Sequence, residues 1–532
     1  MDIKAEGIDH LGIVSGICDE INLVETIDSA IPQKSNMNIS IGKRVKAMVL
    51  NAMGFTGRPL YLSHQFFQKK PLDLLLGPEV TTSGLNDDAI GRALDELYKA
   101  GPEFIYCLVA AGAIKNYNIK IDKLHGDTTS ISVQGEYNGN KNEGLIRFGY
   151  SKDRRKDLKQ FILSSFATSD GGIPIFGSAV AGNTSDAKHF REVFQKLKEN
   201  MILDLSDVMI ICDAAAYNKE TIGMLQRRPW IFRVPDTIND AKLLKANTPN
   251  ESFIRLRNGY SISESTGSYG DVQQRWILVR SEQAFNRAKN TIVRSVSNEL
   301  KDLETKIKRC KAKELESLEV AEQTIAKLTA KIKYHVIKVV KALPDEKVPI
   351  RGGIEKQLVI GEVKISIKQQ IDKINHLIDA KSKFIIATNV LDNIKLPAED
   401  VLGEYKNQFK VEKGFRFLKN PLCMADSIYL KNEKRIISLS MVMLITLLVY
   451  AVAERALRKA LVERNLSIKN QVNKPVQNPT MRWVFQTMED VIVLRYSEND
   501  KIITKVTNLT DELVLIIGLL GNQCMKRYLL DR

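Results

Sequence analysis

The feature that most constrains the fold is a run of alternating extended and helical segments between residues 118 and 234. Asn118–Val133 alternates between apolar and polar residues and is rich in Ile and Thr, which predicts a strand. A turn at residues 170–172 separates two further extended segments and predicts a hairpin. The predicted elements are, in order, strands at 118–133, 160–168 and 173–181, a helix at 186–200, a strand at 206–212, a helix at 217–227 and a strand at 230–234.

Three strands followed by strand and helix units are typical of a ribonuclease-H-like core, and we expect an α/β (α+β) protein built around one. A chain of 532 residues is too long for a single core, which predicts two to four domains. We place a helical DNA-binding domain at 1–115, the first part of the core at 116–235, an insertion domain at 236–395, the second part of the core at 396–455 and a helical C-terminal region at 456–532.

The regions around this core are predicted to be mainly helical. Lys43–Met53 has helical periodicity, and residues 88–99 form a second helix that Asn86 or Asp87 can cap. Short helices of this kind suit a helix-turn-helix-like DNA-binding module. Inside the insertion, Glu282–Ala342 is a long lysine-rich stretch without a sustained heptad repeat, which favours a helical hairpin over a long coiled coil.

The charge balance indicates a polyanionic partner. The chain has 78 Lys and Arg against 63 Asp and Glu, a net charge of +15 and a pI of about 9.3. Nucleic acid is the commonest polyanion, although charge alone leaves a basic protein that binds no DNA as an equal alternative. The six cysteines are scattered, which fits a reducing compartment, and the N-terminus lacks the apolar segment of a secretory signal. We therefore expect a cytoplasmic protein.

One segment resembles a membrane span. Residues 436–453 carry no charge, and their length is near the lower limit for a transmembrane helix. The segment contains Ser438, Ser440 and Thr446 and follows closely after a predicted amphipathic helix. We predict a buried helix of the same core and no membrane association, with a membrane protein as the competing interpretation.

Two aspartates stand in strand contexts where a carboxylate needs a partner. Asp127 lies inside the first predicted strand, and Asp213 lies where the strand at 206–212 ends. A buried carboxylate costs several kcal/mol unless it is paired or bound to a cation. Asp213 could instead cap the next helix, and Asp127 could lie in a bulge. His125 could also bind a metal, but a single imidazole beside an oxygen site is more often structural.

A third carboxylate, Glu412, lies in the stretch Tyr405–Lys419. Its polar residues recur at helical spacing and fall within a wedge of roughly 80° on one helix. An apolar stripe runs beside them at the same spacing, which predicts an amphipathic helix with its polar line at the edge of the buried face. The polar line contains Tyr405, Gln408, Glu412, Arg416 and Lys419, and the apolar stripe contains Val411, Phe415, Leu418 and Leu422. A simple surface helix is the alternative.

Together, Asp127, Asp213 and Glu412 could form a three-carboxylate set on neighbouring elements. Converging carboxylates without His or Cys favour hard divalent cations, which predicts two Mg²⁺ ions with Mn²⁺ as a substitute. Two such ions can activate a water or a sugar hydroxyl and stabilise the leaving oxygen of a phosphodiester.

These residues carry a family resemblance. The three acids, with Tyr405, Glu412 and Lys419 at their spacing, resemble the DDE transposases of bacterial insertion sequences that carry a Tyr–Arg–Glu–Lys signature. HGDTTS around Asp127, the segment at 149–160 and ATN at 387–389 also look like this group, in particular its branch with a helical N-terminal domain. The likeness covers most of the chain. Gln408 stands where the signature has Arg, and Gln cannot make the charge-assisted bidentate contact of an Arg.

The resemblance implies cut-and-paste transposition. Asp127, Asp213 and Glu412 would hold the metals, and Tyr405, Lys419 and their neighbours would grip DNA phosphates. Water would nick the end of the element, and the freed 3′-hydroxyl would attack the opposite strand to form a hairpin, or attack target DNA. The implied partners are the element's terminal inverted repeats, target DNA and a second copy of the chain on paired ends.

Two further sets of residues are predicted to contact DNA. The hairpin step needs an aromatic residue that stacks on a flipped base, and Trp276 in the insertion is the candidate, although a strand tryptophan is more often part of a core. The basic run between the first two strands contains Lys152, Arg154, Arg155, Lys156 and Lys159, and its alternative is a solvated loop.

Two other functions remain open on the same core. A metal-dependent nuclease would cut DNA without joining it. A catalytically inactive DNA-binding protein would occupy the element ends, which Gln408 favours and the three intact acids oppose.

Overall fold

The computed structural model describes residues 3–33, 37–55, 62–135, 137, 144–153, 155–200, 205–310, 318–329, 332–341, 355–360, 363–420 and 430–530. The chain divides into two compact units. The first contains residues 1–232, 268–272 and 403–532, and the second contains residues 233–267 and 273–402. The five domain boundaries drawn from the sequence are finer than this division and stay predictions. Arg154 and Leu422 lie outside the described residues.

The N-terminal region of the first unit is mostly helical. Ser40 accepts a hydrogen bond from the Lys43 amide and Asn86 accepts one from the Ala89 amide, so both predicted helices begin at polar caps. This confirms the two helices expected there. The elements are β1 (Lys4–Gly7), α1 (Leu11–Glu20), α2 (Leu23–Ala30), α3 (Ile41–Met53), α4 (Ser63–Phe67), α5 (Leu72–Leu76), α6 (Asp87–Ala100) and α7 (Pro102–Tyr117).

A mixed sheet follows and has the predicted topology. Its elements are β2 (Lys123–Val133), β3 (Lys159–Thr168), β4 (Pro174–Ala181), α8 (Asp186–Asn200), β5 (Met209–Cys212), α9 (Lys219–Met224) and β6 (Trp230–Val234). The strands lie in the order β4-β3-β2-β5-β6. The first three are antiparallel, β5 is parallel to β2, and β6 is parallel to β5. This order confirms the ribonuclease-H-like core.

The second unit combines strands with lysine-rich helices. Its elements are α10 (Asn239–Asn247), β7 (Ile254–Arg255), β8 (Tyr260–Tyr269), β9 (Val272–Ser281), α11 (Glu282–Arg309), α12 (Leu318–Thr329), β10 (His335–Lys341), β11 (Glu355–Ile360), β12 (Val363–Gln369), α13 (Ile371–Ser382) and β13 (Lys383–Thr388). Strands β10, β12 and β11 form an antiparallel sheet. Apolar residues of α11 and α12 pack against β12 through Ile307, Ile325 and Ile365.

The helical hairpin predicted for residues 282–342 is confirmed for α11 and α12, which pack against each other, but the prediction was wrong for residues 335–341. Helix α12 ends at Thr329, and residues 335–341 form β10. The sequence of β10, HVIKVVK, is rich in β-branched residues, and His335, Ile337 and Val339 are less exposed than the residues between them, which suits a strand with one solvated face.

The C-terminal part of the first unit contains more strand than predicted. Its elements are α14 (Ala398–Lys406), α15 (Phe409–Leu418), α16 (Glu433–Glu463), β14 (Ile468–Lys469), β15 (Pro475–Val476), α17 (Met481–Thr487), β16 (Ile492–Glu498), β17 (Lys501–Thr507), α18 (Asp511–Leu520) and α19 (Asn522–Arg527). The hairpin of β16 and β17 pairs with β1, so the two ends of the chain share a three-stranded sheet. The helical tail expected from the sequence is therefore interrupted by this hairpin.

Helix α16 is the central core helix of the first unit. It is the one helix among the described residues that is long and apolar enough to cross a membrane, and 94% of its most apolar 18-residue window is buried inside the protein. Ser438 donates to the Leu94 carbonyl, whereas Ser440 and Thr446 donate to carbonyls one turn back in their own helix. The helix packs against α6, α7, β4 and α15. The prediction of a buried core helix is confirmed.

Candidate active site

The register of two parallel strands brings the two aspartates to the same edge of the sheet. Gly126 of β2 lies opposite Cys212 of β5, and Asp127 and Asp213 are the next residues along each chain. Ligands of open α/β sheets commonly bind at the carboxyl ends of parallel strands. Both aspartates were singled out from the sequence as candidate metal ligands, and the strand register explains why they lie close together.

Asp127 is held near the core and carries a perturbed carboxyl group. Its Oδ1 accepts a hydrogen bond of 2.7 Å from the amide of Thr128. The pKa of Asp127 is raised to about 6, chiefly by burial and to a smaller extent by the nearby charges of Asp213 and Glu412, against the opposing effect of Lys152. The influence of two other carboxylates on this pKa is an electrostatic sign that the three acids share one environment.

Asp213 begins the next turn of the chain and is exposed. Its Oδ1 accepts a hydrogen bond of 2.7 Å from the amide of Ala214, so it caps the short 3₁₀ turn Ala214–Ala216. The capping alternative considered from the sequence is therefore present, and it coexists with a place at the candidate site. The hydroxyl of Tyr405 also donates to Asp213 Oδ1, at 3.3 Å.

Glu412 lies on a shorter helix than the sequence suggested. The predicted single helix at 405–419 is two helices, because α14 ends at Lys406 and α15 begins at Phe409. Glu412 lies in the first turn of α15, where the helix dipole favours a negative charge. Val411, Phe415 and Leu418 are buried as predicted, and α15 packs against β2, β3 and α16.

One cavity collects these groups. The three carboxylates line a cavity of about 760 Å³ in the first unit. The lining also contains three cations, Lys152, Arg416 and Lys419, together with a further acid, Asp153. A pocket with mixed carboxylates and cations can hold divalent ions at its acids and phosphate oxygens at its bases.

The carboxylates suit a hard divalent cation but are not gathered into a finished metal site. Within the described residues, no group of three or more His, Cys, Asp and Glu side chains is arranged to hold a metal ion. In Asp127 and Asp213, Oδ1 accepts a hydrogen bond from the amide of the next residue, and Oδ2 takes no part in that bond. The donor set therefore fits Mg²⁺ by its chemistry, and ion binding has to draw the acids together. Two Mg²⁺ ions stay a prediction.

Three of the predicted DNA contacts lie at the cavity. Lys152 Nζ donates to the Thr128 carbonyl at 2.6 Å and lies 3.7 Å from Asp127 Oδ1. Lys419 Nζ donates to Asp153 Oδ2 at 2.5 Å. Arg416 is exposed. Asp153 was not singled out from the sequence, because nothing about one acid inside a basic run indicates that it lines the cavity or pairs with Lys419.

The rest of the basic run lies away from these contacts. Arg155 forms a bidentate ion pair with Asp157, and both are exposed. Lys156 is exposed as well, whereas Lys159 donates to the carbonyl of Tyr137. Exposed basic side chains remain compatible with a DNA contact and with a solvated loop, so this prediction stays open. Arg154 falls outside the described residues.

Gln408 does not occupy the position expected of a phosphate contact. Its side chain is buried, and Nε2 donates to the Gly126 carbonyl at 3.4 Å, directly before Asp127. This arrangement ties the start of α15 to β2. His125, which precedes Gly126 in β2, is also buried, and its Nε2 lies 2.9 Å from Ser169 Oγ. Burial lowers the pKa of His125 to about 4. These contacts favour the structural interpretation of His125, which stays a prediction.

Trp276 belongs to the core of the second unit. The side chain is 4% exposed, its Nε1 donates to Gln274 Oε1 at 3.1 Å, and it lies against Gly267. The sequence-based alternative, a strand tryptophan in a core, describes this position. The structure offers no exposed face of Trp276 on which a flipped base could stack.

Comparisons with known proteins give two findings. A family model described as a domain of unknown function (DUF4277) matches residues 3–111. The chain also aligns with the cryo-EM structure of a piggyBac transposase synaptic complex with hairpin DNA, at 9% identity and a TM-score of 0.38, covering 90% of this chain and 77% of that chain. No curated protein matches the chain.

Proposed function

We propose that this chain is a DDE transposase that cleaves the ends of an insertion sequence and joins them to target DNA. The observation that carries the proposal is the single cavity lined by Asp127, Asp213 and Glu412, with cations in the same lining. The ribonuclease-H-like strand order supports it, because that order places the two aspartates on adjacent parallel strands. The spacing of Tyr405, Glu412 and Lys419 supports the finer assignment to the Tyr–Arg–Glu–Lys group.

The chain's own residues divide the work by charge. Asp127, Asp213 and Glu412 would hold two Mg²⁺ ions, which activate a water or a sugar hydroxyl and stabilise the leaving oxygen. Arg416 and Lys419 bind phosphate oxygens of the DNA backbone beside the scissile bond. Tyr405 orients Asp213 through its hydroxyl.

The partners follow from this reaction. The substrate is double-stranded DNA with the element's terminal inverted repeats, and the net charge of +15 favours its approach. Because two ends have to be cut together, we propose a homodimer on paired ends. We also propose a cytoplasmic location, since the long apolar helix α16 is buried within the core.

The test is cleavage of labelled DNA that carries the element's own terminal repeats. We expect nicking at the repeat boundary that requires Mg²⁺ or Mn²⁺ and disappears in Glu412→Gln, while DNA binding by that variant is retained. Cleavage that continues undiminished in Glu412→Gln would refute the assignment of this carboxylate.

A nuclease on the same core is the second enzyme to consider. It would nick the same DNA, but the cleaved ends would not join a plasmid added as target. Strand transfer of a labelled end into the plasmid therefore separates a transposase from a nuclease.

An inactive DNA-binding protein is the remaining alternative. Gln408 was its support in the sequence, but this side chain is buried and bonded to Gly126 rather than turned to the cavity. The observation weakens the alternative. Position 408 faces the core and is not placed to contact a DNA phosphate, so Gln in place of Arg there removes no such contact. Tight binding without metal-dependent nicking would favour it again.

A further inference from the structure

We propose that Lys152 and Asp153 are internal counter-ions of the cavity, which the divalent ion and the DNA phosphate displace when they bind. Lys152 lies beside Asp127, which the divalent ion requires, and Asp153 pairs with Lys419, which the DNA phosphate requires. The inference rests on the proposed function and adds to it a coupling between ion binding and DNA binding.

Lys152 places a cation beside a candidate metal ligand. Its backbone amide donates to Ser130 Oγ at 3.1 Å, and its Nζ donates to the carbonyl and the hydroxyl of Thr128 at 2.6 and 2.9 Å. These bonds hold Nζ at 3.7 Å from Asp127 Oδ1, which is a Coulombic contact rather than a hydrogen bond. A divalent ion at Asp127 would repel this ammonium group, so the two cations compete for one carboxylate.

Asp153 plays the opposite part at the next residue. Its Oδ2 accepts from Lys419 Nζ at 2.5 Å, and both side chains are partly exposed. Lys419 is one of the groups proposed to grip a DNA phosphate. A phosphate oxygen at Lys419 therefore has to displace the Asp153 carboxylate, which also adds a negative charge to the wall that DNA approaches.

The shared cavity links the two displacements. An ion that expels Lys152 from Asp127 frees an ammonium group for the DNA, and its charge attracts the Asp153 carboxylate of the same cavity away from Lys419. Binding of the ion and binding of DNA then favour each other, and the coupling is reciprocal. Both pairs are partly exposed, so we expect each effect to be roughly two- to fivefold.

The first experiment measures Mn²⁺ binding to the DNA-free protein by electron paramagnetic resonance. We expect Lys152→Gln to bind Mn²⁺ roughly two- to fivefold more tightly than the wild type, because a competing cation is gone. Lys156→Gln removes the same charge from the same loop, away from Asp127, and should match the wild type. Asp127→Asn identifies the site by losing Mn²⁺.

The outcomes separate the two levels of the proposal. If Mn²⁺ binds and is lost in Asp127→Asn, while Lys152→Gln binds no more tightly than the wild type, the counter-ion role is wrong and the metal site stands. If Asp127→Asn binds Mn²⁺ as the wild type does, the proposed function loses its metal site.

The second experiment measures the coupling with a short DNA duplex of random sequence. The ratio of DNA affinity in Ca²⁺ to DNA affinity in EDTA should exceed one for the wild type and fall towards one in Asp153→Asn, because Lys419 is already free in that variant. Asp157→Asn removes an exposed acid from the same loop and should keep the wild-type ratio. Equal ratios in wild type and Asp153→Asn would overturn the coupling.

Discussion

The cavity of the first unit and the interior of the second unit are built from opposite chemistry. The lining of the cavity contains four acids and three cations, most of them partly exposed and paired with each other. The second unit fills its interior mainly with aliphatic side chains and Trp276, and its buried lysines, Lys245 and Lys383, are paired with Asp236 and Asp379. The difference teaches that a substitution in the cavity should change activity with little effect on stability, whereas one inside the second unit should do the reverse.

The largest expected effect is the loss of a cavity carboxylate. Glu412→Gln should reduce metal-dependent DNA cleavage by on the order of a hundredfold or more, since a bound metal contributes several kcal/mol to stabilising the transition state. Glu412 is exposed, so the free energy of unfolding in urea should change by less than about 0.5 kcal/mol. Glu399→Gln, an exposed acid outside the cavity wall, is the matched control and should change neither quantity.

Trp276 provides the opposite case. Trp276→Ala should lower the free energy of unfolding of the second unit by about 3–5 kcal/mol, because it empties a buried site of a large side chain. Urea denaturation followed by far-UV circular dichroism measures this, with Gln273→Ala on the exposed side of the same strand as the control. An unchanged unfolding transition would mean that the side chain is not packed and would reopen its role in base stacking.

A buried histidine makes the first unit sensitive to acid. His189 is fully buried, neither ring nitrogen has a hydrogen-bond partner within the described residues, and burial lowers its pKa to about 3. The unfolded chain binds a proton near pH 6.5 and the folded chain does not, so stability is complete above pH 6.5 and falls as the pH drops towards 3.

Replacing this histidine should remove its share of the acid sensitivity. Between pH 6 and 4, the unfolding free energy of His189→Leu should depend less on pH, by up to about 1.4 kcal/mol per pH unit. His376→Leu, at an exposed site in the second unit, should keep the wild-type pH dependence. The same slope in His189→Leu and the wild type would show that this imidazole is not buried in the neutral form.

The smallest expected effect concerns Gln408. Gln408→Ala should cost about 1 kcal/mol of unfolding free energy, because it removes one hydrogen bond to Gly126. The dependence of DNA affinity on salt concentration should stay unchanged, whereas Arg416→Gln should reduce the slope of log affinity against log salt by about 0.9. A reduced slope in Gln408→Ala would restore this residue to the DNA contacts.

The sequence predicted the parts whose physical requirements are local. Asp127 and Asp213 stood out because a carboxylate in a strand needs a partner, and the strand order followed from alternation and turns. The helices at α3 and α6 followed from their caps and periodicity. The position of Trp276 could not be predicted in the same way, because a tryptophan in a strand can pack in a core or stay exposed for base stacking, and the local sequence does not distinguish the two.

Other features depend on contacts that spacing cannot show. On a helical wheel the polar residues of 405–419 form one continuous line. The wheel gives no sign of the break between α14 and α15, at which Gln408 turns inward. The pairing of β1 with β16 joins residues about 490 positions apart in the chain. The ion pairs of Lys152 and Asp153 join a loop to a strand and to a helix that the sequence places far away.

The most direct test of the central proposal is backbone cleavage by Fe²⁺ bound in place of Mg²⁺. Hydroxyl radicals formed at the ion with ascorbate and peroxide cut the polypeptide close to the metal, and the fragments locate the cuts. We expect cuts near Asp127, Asp213 and Glu412 together, all suppressed by excess Mg²⁺ and all absent in Asp127→Asn. Cuts near only one of the three acids, or at none of them, would contradict a shared metal site.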